Sequence, residues 1–139
     1  MTRIMFLCTG NSCRSQMAEG FARKLGEDVI EPYSAGLSPQ GVNPIAEKVM
    51  AEIGIDISHQ TSKAIDDELL KTMDIVITLC DNVAESCPWT PPEIKRLHWS
   101  IKDPVKAVGS EEEVTKEFRK ARDEIEQGVK NFIEEVRNG

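Results

Sequence analysis

A chain of 139 residues, 40% hydrophobic and 29% charged, has the volume for one domain around a single core. Its formal net charge of -7 leaves no basic surface to neutralise phosphates, which argues against nucleic acid as a partner. No apolar run approaches the roughly 20 residues needed to cross a bilayer, and the opening MTRIMFLCTGN is too short for a secretory signal, so a cytoplasmic protein without membrane contact is expected.

Residues 3–8, RIMFLC, form an apolar run closed by TGNS and read as a buried strand. From Ser12 to Lys24 a helix follows, with Met17, Ala18, Phe21 and Leu25 at helical spacing. VIEPYSAG, residues 29–36, is a weaker strand that Pro32 assigns to an edge or a bulge. Asn43-Pro44 opens a second helix whose apolar face is Ile45, Val49, Met50 and Ile53, and Gly54 stops it. TMDIVITLC, residues 72–80, is continuous and β-branched, as a parallel strand buried on both faces should be. The proline-rich stretch over 81–96 reads as a surface loop, and LHWSI, residues 97–101, as a last short strand. Ser110 and Glu113 form a capping box ahead of a long amphipathic helix carrying Val114, Phe118, Ala121, Ile125, Val129, Phe132 and Val136.

Strands alternating with helices imply an α/β fold, expected here as a three-layer sandwich with a mainly parallel four-stranded sheet, in one domain over residues 1–139. In such folds the reactive edge lies at the carboxyl ends of the strands, where both Cys8 and Cys80 fall. Four cysteines in a reducing compartment point to catalysis or metal binding before structural disulfides.

The loop from Cys8 to Arg14 has the form C-x5-R and is followed directly by Ser15. A strand–loop–helix of this size converges backbone N–H groups from Thr9, Gly10, Asn11, Ser12, Cys13, Arg14 and Ser15 on one point. The helix dipole adds its positive end, and together they make a cradle for a tetrahedral oxyanion. Arg14 adds a planar fork for two anion oxygens, and the same field favours a nucleophilic thiolate at Cys8. Gly10 and Asn11 supply left-handed backbone, and Ser15 is placed to steady the sulfur. A nucleotide loop of the G-x-x-x-x-G-K-[ST] kind is absent, and neither Cys8/Cys13 nor Cys80/Cys87 has the C-x2-C spacing of zinc sites, so no metal or cofactor is expected. The bland alternative is a core cysteine beside an ordinary turn.

The segment CTGNSCRSQMAEG, with Asp103-Pro104 some 90 residues later, resembles the low-molecular-weight protein tyrosine phosphatase fold. With YSAG, GIDIS, VITLC, CPWTPP and HW added, the chain resembles the thioredoxin-coupled arsenate reductases of that superfamily over nearly its whole length. The resemblance implies a three-thiol relay. Cys8 attacks arsenate held by the loop and Arg14, Asp103 serves as general acid, and Cys80 displaces arsenite. Cys87 then forms a Cys80–Cys87 disulfide for thioredoxin to reduce. Cys13 is left over and reads as packing behind the loop. A phosphomonoesterase using Cys8, Arg14 and Asp103, or a non-enzymatic oxyanion-binding or redox-sensing module, are the competing expectations.

There are two departures from the resembling families. Val105, Lys106 and Ala107 follow the Asp-Pro where phosphatases carry aromatic residues, which argues for a small inorganic oxyanion. Some reductases bind potassium through residues matching Asn11, Glu19, Ser34 and Thr61 with an Asp two positions after the threonine. Here that position is Lys63, whose ammonium group can replace the ion. His59 and His98 read as surface or packing residues, Trp89 and Trp99 flank the 81–96 loop, and nothing points to an obligate dimer, so a monomer is expected.

Overall fold

The computed structural model describes residues 1–79 and 90–139; Cys80, Cys87 and Trp89, with the expectations placed on them, lie outside the described residues. The strands are β1 (Thr2–Cys8), β2 (Ile30–Gly36), β3 (Ile75–Thr78) and β4 (Lys95–His98), and the helices are α1 (Arg14–Leu25), α2 (Pro44–Ala51), the single turn α3 (Asp67–Leu70) and α4 (Glu111–Asn138). The sheet runs β2-β1-β3-β4 with all three pairings parallel. Ile4, Met5, Phe6 and Leu7, which point alternately to opposite faces, are each at most 1% exposed. Both faces of the sheet are therefore covered, which is why β1 reads as an unbroken apolar run.

Strand β2 is an edge strand, with Pro32 opposite Ile4, as its proline requires. Helix α2 is capped by Asn43, whose Oδ1 accepts from the Ile45 and Ala46 N–H groups, with Pro44 in the first turn. Helix α4 is capped by Ser110 Oγ accepting from the Glu113 N–H at 3.1 Å. Its stripe of Phe118, Ala121, Ile125, Val129, Phe132 and Ile133 is buried against the core, and Phe132 meets Trp99, which in turn meets Phe6 of β1.

Three sequence expectations shift. The predicted 72–80 strand contracts to Ile75–Thr78 because Thr72 and Met73 close the turn after α3, donating to Leu69 and Leu70 carbonyls. The last strand begins at Lys95 rather than Leu97, since pairing with Ile75 at the sheet edge tolerates the exposed Lys95 and Arg96. Ile53 is not on the apolar face of α2: it follows the helix end and is 39% exposed, while Gly54 takes a φ of 80° as the chain turns away.

Candidate active site

The crossover from β1 leads to β2 on one side, and the next, from β2, passes back over β1 to β3 on the other, so the carboxyl end of β1 sits at the point where the strand order reverses. Cys8 ends that strand and Arg14 begins α1, so residues 9–13 form the connecting loop. A cleft of about 480 Å³ opens there, lined by Cys8, Ser12, Cys13, Arg14, Asp103 and Val105 among others. Among the described residues no aromatic side chain lines it.

The sulfur of Cys8 lies 2.9 Å from Ser15 Oγ. Asn11 Nδ2 donates to the same Ser15 Oγ at 2.8 Å, which leaves the hydroxyl proton free to turn to the sulfur. Asn11 Oδ1 accepts from the Lys63 N–H at 2.9 Å, so the amide orientation is fixed from both ends. Asn11 is also the one non-glycine residue with positive φ among those described, at 45°. Gly10 does not share that conformation, contrary to expectation. Its lack of a side chain instead admits Gln40, whose Cγ would lie 2.9 Å from a Cβ at that position.

Arg14 stands at the first turn of α1, where the helix dipole disfavours a cation and no acidic residue of the turn offsets it. Its Nη2 lies 3.5 Å from Asp103 Oδ2, and its Nη1 donates to the Ile101 carbonyl at 2.9 Å and, at 3.4 Å, to that of Leu79. Arg14 Nε is buried and has no hydrogen-bond partner among the described residues. A tetrahedral anion on the loop would supply that acceptor and balance the helix terminus at once. Asp103 caps the short 3-10 turn over Pro104–Lys106 through Oδ1, which accepts from the Val105 N–H at 3.0 Å, and so holds Oδ2 toward Arg14.

Cys13 is a buried free thiol, and burial together with the neighbouring Cys8 and Asp103 pushes it up to about 12. It stays protonated at neutral pH. Lys63 reaches the carbonyl of Thr61 at 2.6 Å and Glu19 Oε1 at 3.9 Å, while Glu19 also receives Ser34 Oγ and Arg23 Nη2. The ammonium group thus sits among Glu19, Ser34 and Thr61. Burial pulls Lys63 below the usual lysine range, Glu19 opposing and Arg23 adding to the effect. Among the described residues no group of three His, Cys, Asp or Glu side chains converges for a metal ion. His59 and His98 are both exposed, and His98 Nδ1 shares a 2.7 Å hydrogen bond with Thr78 Oγ1.

The structure thus brings Cys8, Thr9, Gly10, Ser12, Cys13, Arg14 and Asp103 to one cleft, with Asn11 and Ser15 fully buried and outside its lining, and brings the end of β3 alongside through the Leu79 N–H donating to the Leu7 carbonyl at 2.8 Å. Reasoning from sequence missed the outer support of the loop. Ser38, Gln40 and Asn43 N–H groups donate to the carbonyls of Thr9, Gly10 and Ser12, each at 2.9 Å, and Gly36 packs directly beneath. The only local signal was the glycine at the end of YSAG.

The sequence profile of the low molecular weight phosphotyrosine protein phosphatase family matches residues 3–139. The chain is 56% identical over 131 residues to an arsenate reductase of Bacillus licheniformis, and 53% identical to one of Bacillus subtilis, with 94% of each chain covered in both cases. A solved arsenate reductase in its phosphate-binding state superposes with a TM-score of 0.79 at 38% identity, covering 98% of this chain and 99% of that one.

Proposed function

The chain belongs to the low molecular weight phosphotyrosine protein phosphatase family, and from that premise we propose that it reduces arsenate to arsenite through a thiol relay regenerated by thioredoxin. The observation that carries the oxyanion half of this reading is the buried Arg14 Nε, without an acceptor among the described residues, beside Cys8 in a loop at a helix N-terminus. Its reductase half rests on identity above 50% with arsenate reductases over 94% of the chain and on the two further thiols, Cys80 and Cys87. Phosphate transfer needs neither of them.

Arsenate binds in the loop with its oxygens on the N–H groups of residues 9–15 and on Arg14. Cys8 Sγ attacks arsenic, and Asp103 protonates the departing hydroxyl, which leaves as water. Cys80 Sγ then attacks Cys8 Sγ. The sulfur–arsenic bond breaks with its electron pair staying on arsenic, so arsenic(V) becomes arsenic(III) and a Cys8–Cys80 disulfide forms. Cys87 attacks Cys80, freeing Cys8, and the resulting Cys80–Cys87 disulfide is reduced by a thioredoxin dithiol. Ser15, held by Asn11, donates to the Cys8 sulfur and sets its direction. Cys13 stays a protonated thiol and has no step of its own. The Lys63 ammonium serves where relatives of this fold use a potassium ion, and the small Val105 at the cleft suits an inorganic oxyanion better than an aryl ester. A monomeric enzyme working in the cytoplasm is part of this reading; among the described residues no helix is long and apolar enough to cross a membrane.

The test is arsenate-dependent NADPH oxidation in the presence of thioredoxin and thioredoxin reductase. Wild type should turn over steadily, whereas Cys8→Ser, Cys80→Ser and Cys87→Ser should each lose at least a hundredfold, as expected when any member of a unit is removed. Turnover surviving both Cys80→Ser and Cys87→Ser would sink the relay. Hydrolysis of aryl phosphates without arsenate reduction would instead make the chain a phosphomonoesterase, and neither activity would leave an oxyanion-binding module.

A further inference from the structure

The peptides of the anion loop are turned by their carbonyls. Each peptide is trans, so a carbonyl drawn outward turns the following N–H the opposite way. Three of these carbonyls are drawn outward by backbone donors: Ser38 to Thr9, Gln40 to Gly10 and Asn43 to Ser12. The fourth, on Asn11, is held differently. It accepts from a side chain, Gln16 Nε2, at 3.0 Å. The peptide that follows carries the Ser12 N–H, and Ser12 lines the cleft.

Gln16 itself is fully buried and has its amide fixed at both ends. Nε2 donates also to the Thr61 carbonyl at 3.0 Å, and Oε1 accepts from Gln60 Nε2 at 2.7 Å. Gln60 Nε2 further donates to the Gln16 backbone carbonyl at 3.0 Å, so the two amides hold one orientation and Gln16 cannot flip without breaking several bonds. This is a large polar investment at a fully buried position in the first turn of α1, where an apolar residue would cover the same space. Asn11 is also the loop residue with the strained left-handed backbone, the one whose peptide has most reason to rotate.

Resting on the oxyanion-binding half of the function proposed above, we propose that Gln16, braced by Gln60, is a positioning residue that aims the Ser12 N–H at the bound oxyanion. It touches neither sulfur nor substrate. It acts by holding the Asn11 carbonyl away from the cleft, which keeps a negative dipole out of an anion site and a donor in it. The contact is made equally to ground state and transition state, so its loss shows in binding and leaves the chemical step alone.

The test uses Gln16→Met, which keeps length and volume but neither donates nor accepts as an amide does, with inorganic phosphate as the probe. Calorimetric titration of phosphate should give a Kd about tenfold weaker than wild type, the size of one hydrogen bond to a charged acceptor. KM for arsenate should rise by a similar factor with kcat within about threefold, the signature of uniform binding. A merely structural glutamine would lower the melting temperature and leave Kd and the KM-to-kcat split unmoved. Phosphate affinity within about twofold of wild type in a folded Gln16→Met chain would overturn the proposal. Should that variant fail to fold, Gln60→Met, which removes only the brace, should weaken phosphate in the same direction, and unchanged affinity there would overturn the proposal equally. Absence of phosphate binding by the wild-type chain would remove the cradle reading itself, and this role of Gln16 with it.

Discussion

Gly36 has no room for a side chain. A Cβ there would lie 2.7 Å from Asn11 N, 2.8 Å from the Cys8 carbonyl oxygen and 2.8 Å from that of Thr9, all backbone atoms of the anion loop. The residue is pinned as well, with its N–H donating to Lys63 O and its carbonyl accepting from the Ile65 N–H. Neither partner can yield without moving the cradle. Gly36→Ala should therefore cost roughly 2 kcal/mol or more in denaturant unfolding, in line with overpacking of a tight site, and should weaken phosphate binding in the molecules that still fold. A variant with wild-type stability and affinity would show that the loop can shift without consequence. Cys13 illustrates the opposite case, a residue inside the loop to which the proposed chemistry gives no step. Its thiol is held protonated far above neutral pH, while Cys8, five residues earlier on the same loop, has a hydroxyl 2.9 Å from its sulfur. The C-x5-R spacing to Arg14 singles out Cys8, and the surroundings of the two thiols differ as well.

At the scale of elements, what could be read from sequence was whatever is contiguous. The loop carrying Cys8, Arg14 and Ser15 is one uninterrupted stretch between a strand and a helix, so its place in the fold was visible there. The Asn43 and Ser110 caps and the edge position of the Pro32 strand were equally visible, because each follows from local backbone demands. What braces the loop was not visible. Gln16 meets Gln60, and Gly36 meets Asn11, across separations that no periodicity encodes. Strand β4 was displaced for a related reason: hydrophobicity marks where Leu97 and Trp99 face the core, whereas the ladder is set by pairing with β3. The junction of α2 and α4 belongs to the same class. Arg119 and Arg122 on α4 converge on Glu52 just past α2, at 2.6 and 2.9 Å, and Arg122 Nη1 also donates to the Val49 carbonyl. The Arg119 guanidinium, helped by Arg122, holds the Glu52 carboxyl down at about 2. A depressed carboxylate stabilises the fold above its unfolded range, near 4.5, and loses that contribution as pH falls through its folded value. The gap in melting temperature between wild type and Glu52→Gln should thus be widest at neutral pH and close toward pH 2, although Glu52 is exposed and the gap will be modest. A gap that stays constant over that range would assign the effect to packing.

For the molecule as a whole, one core connects everything that the site requires. Helix α4 buries its stripe against α1 and α2, and the Phe6–Trp99–Phe132 ring contacts tie it to β1, the strand that ends in Cys8. No second hydrophobic cluster is present among the described residues that could melt by itself. Far-ultraviolet circular dichroism and tryptophan fluorescence should therefore report one thermal transition with a common midpoint. Two separated midpoints would divide the chain into independent units. Phosphate should raise both signals' midpoint together, since it binds only the folded loop.

The outward-tied carbonyls of the loop have a thermodynamic meaning beyond geometry. Backbone order in the 9–12 stretch is settled when the chain folds, by donors on the 38–43 segment and on Gln16. Nothing in that stretch has to be frozen when an anion arrives, so the conformational entropy of capture is met in advance. An inorganic oxyanion has almost no apolar surface to bury and cannot compensate for ordering a floppy site. In the proposed reading, a small, strongly hydrated ligand is held here because folding has already done the ordering.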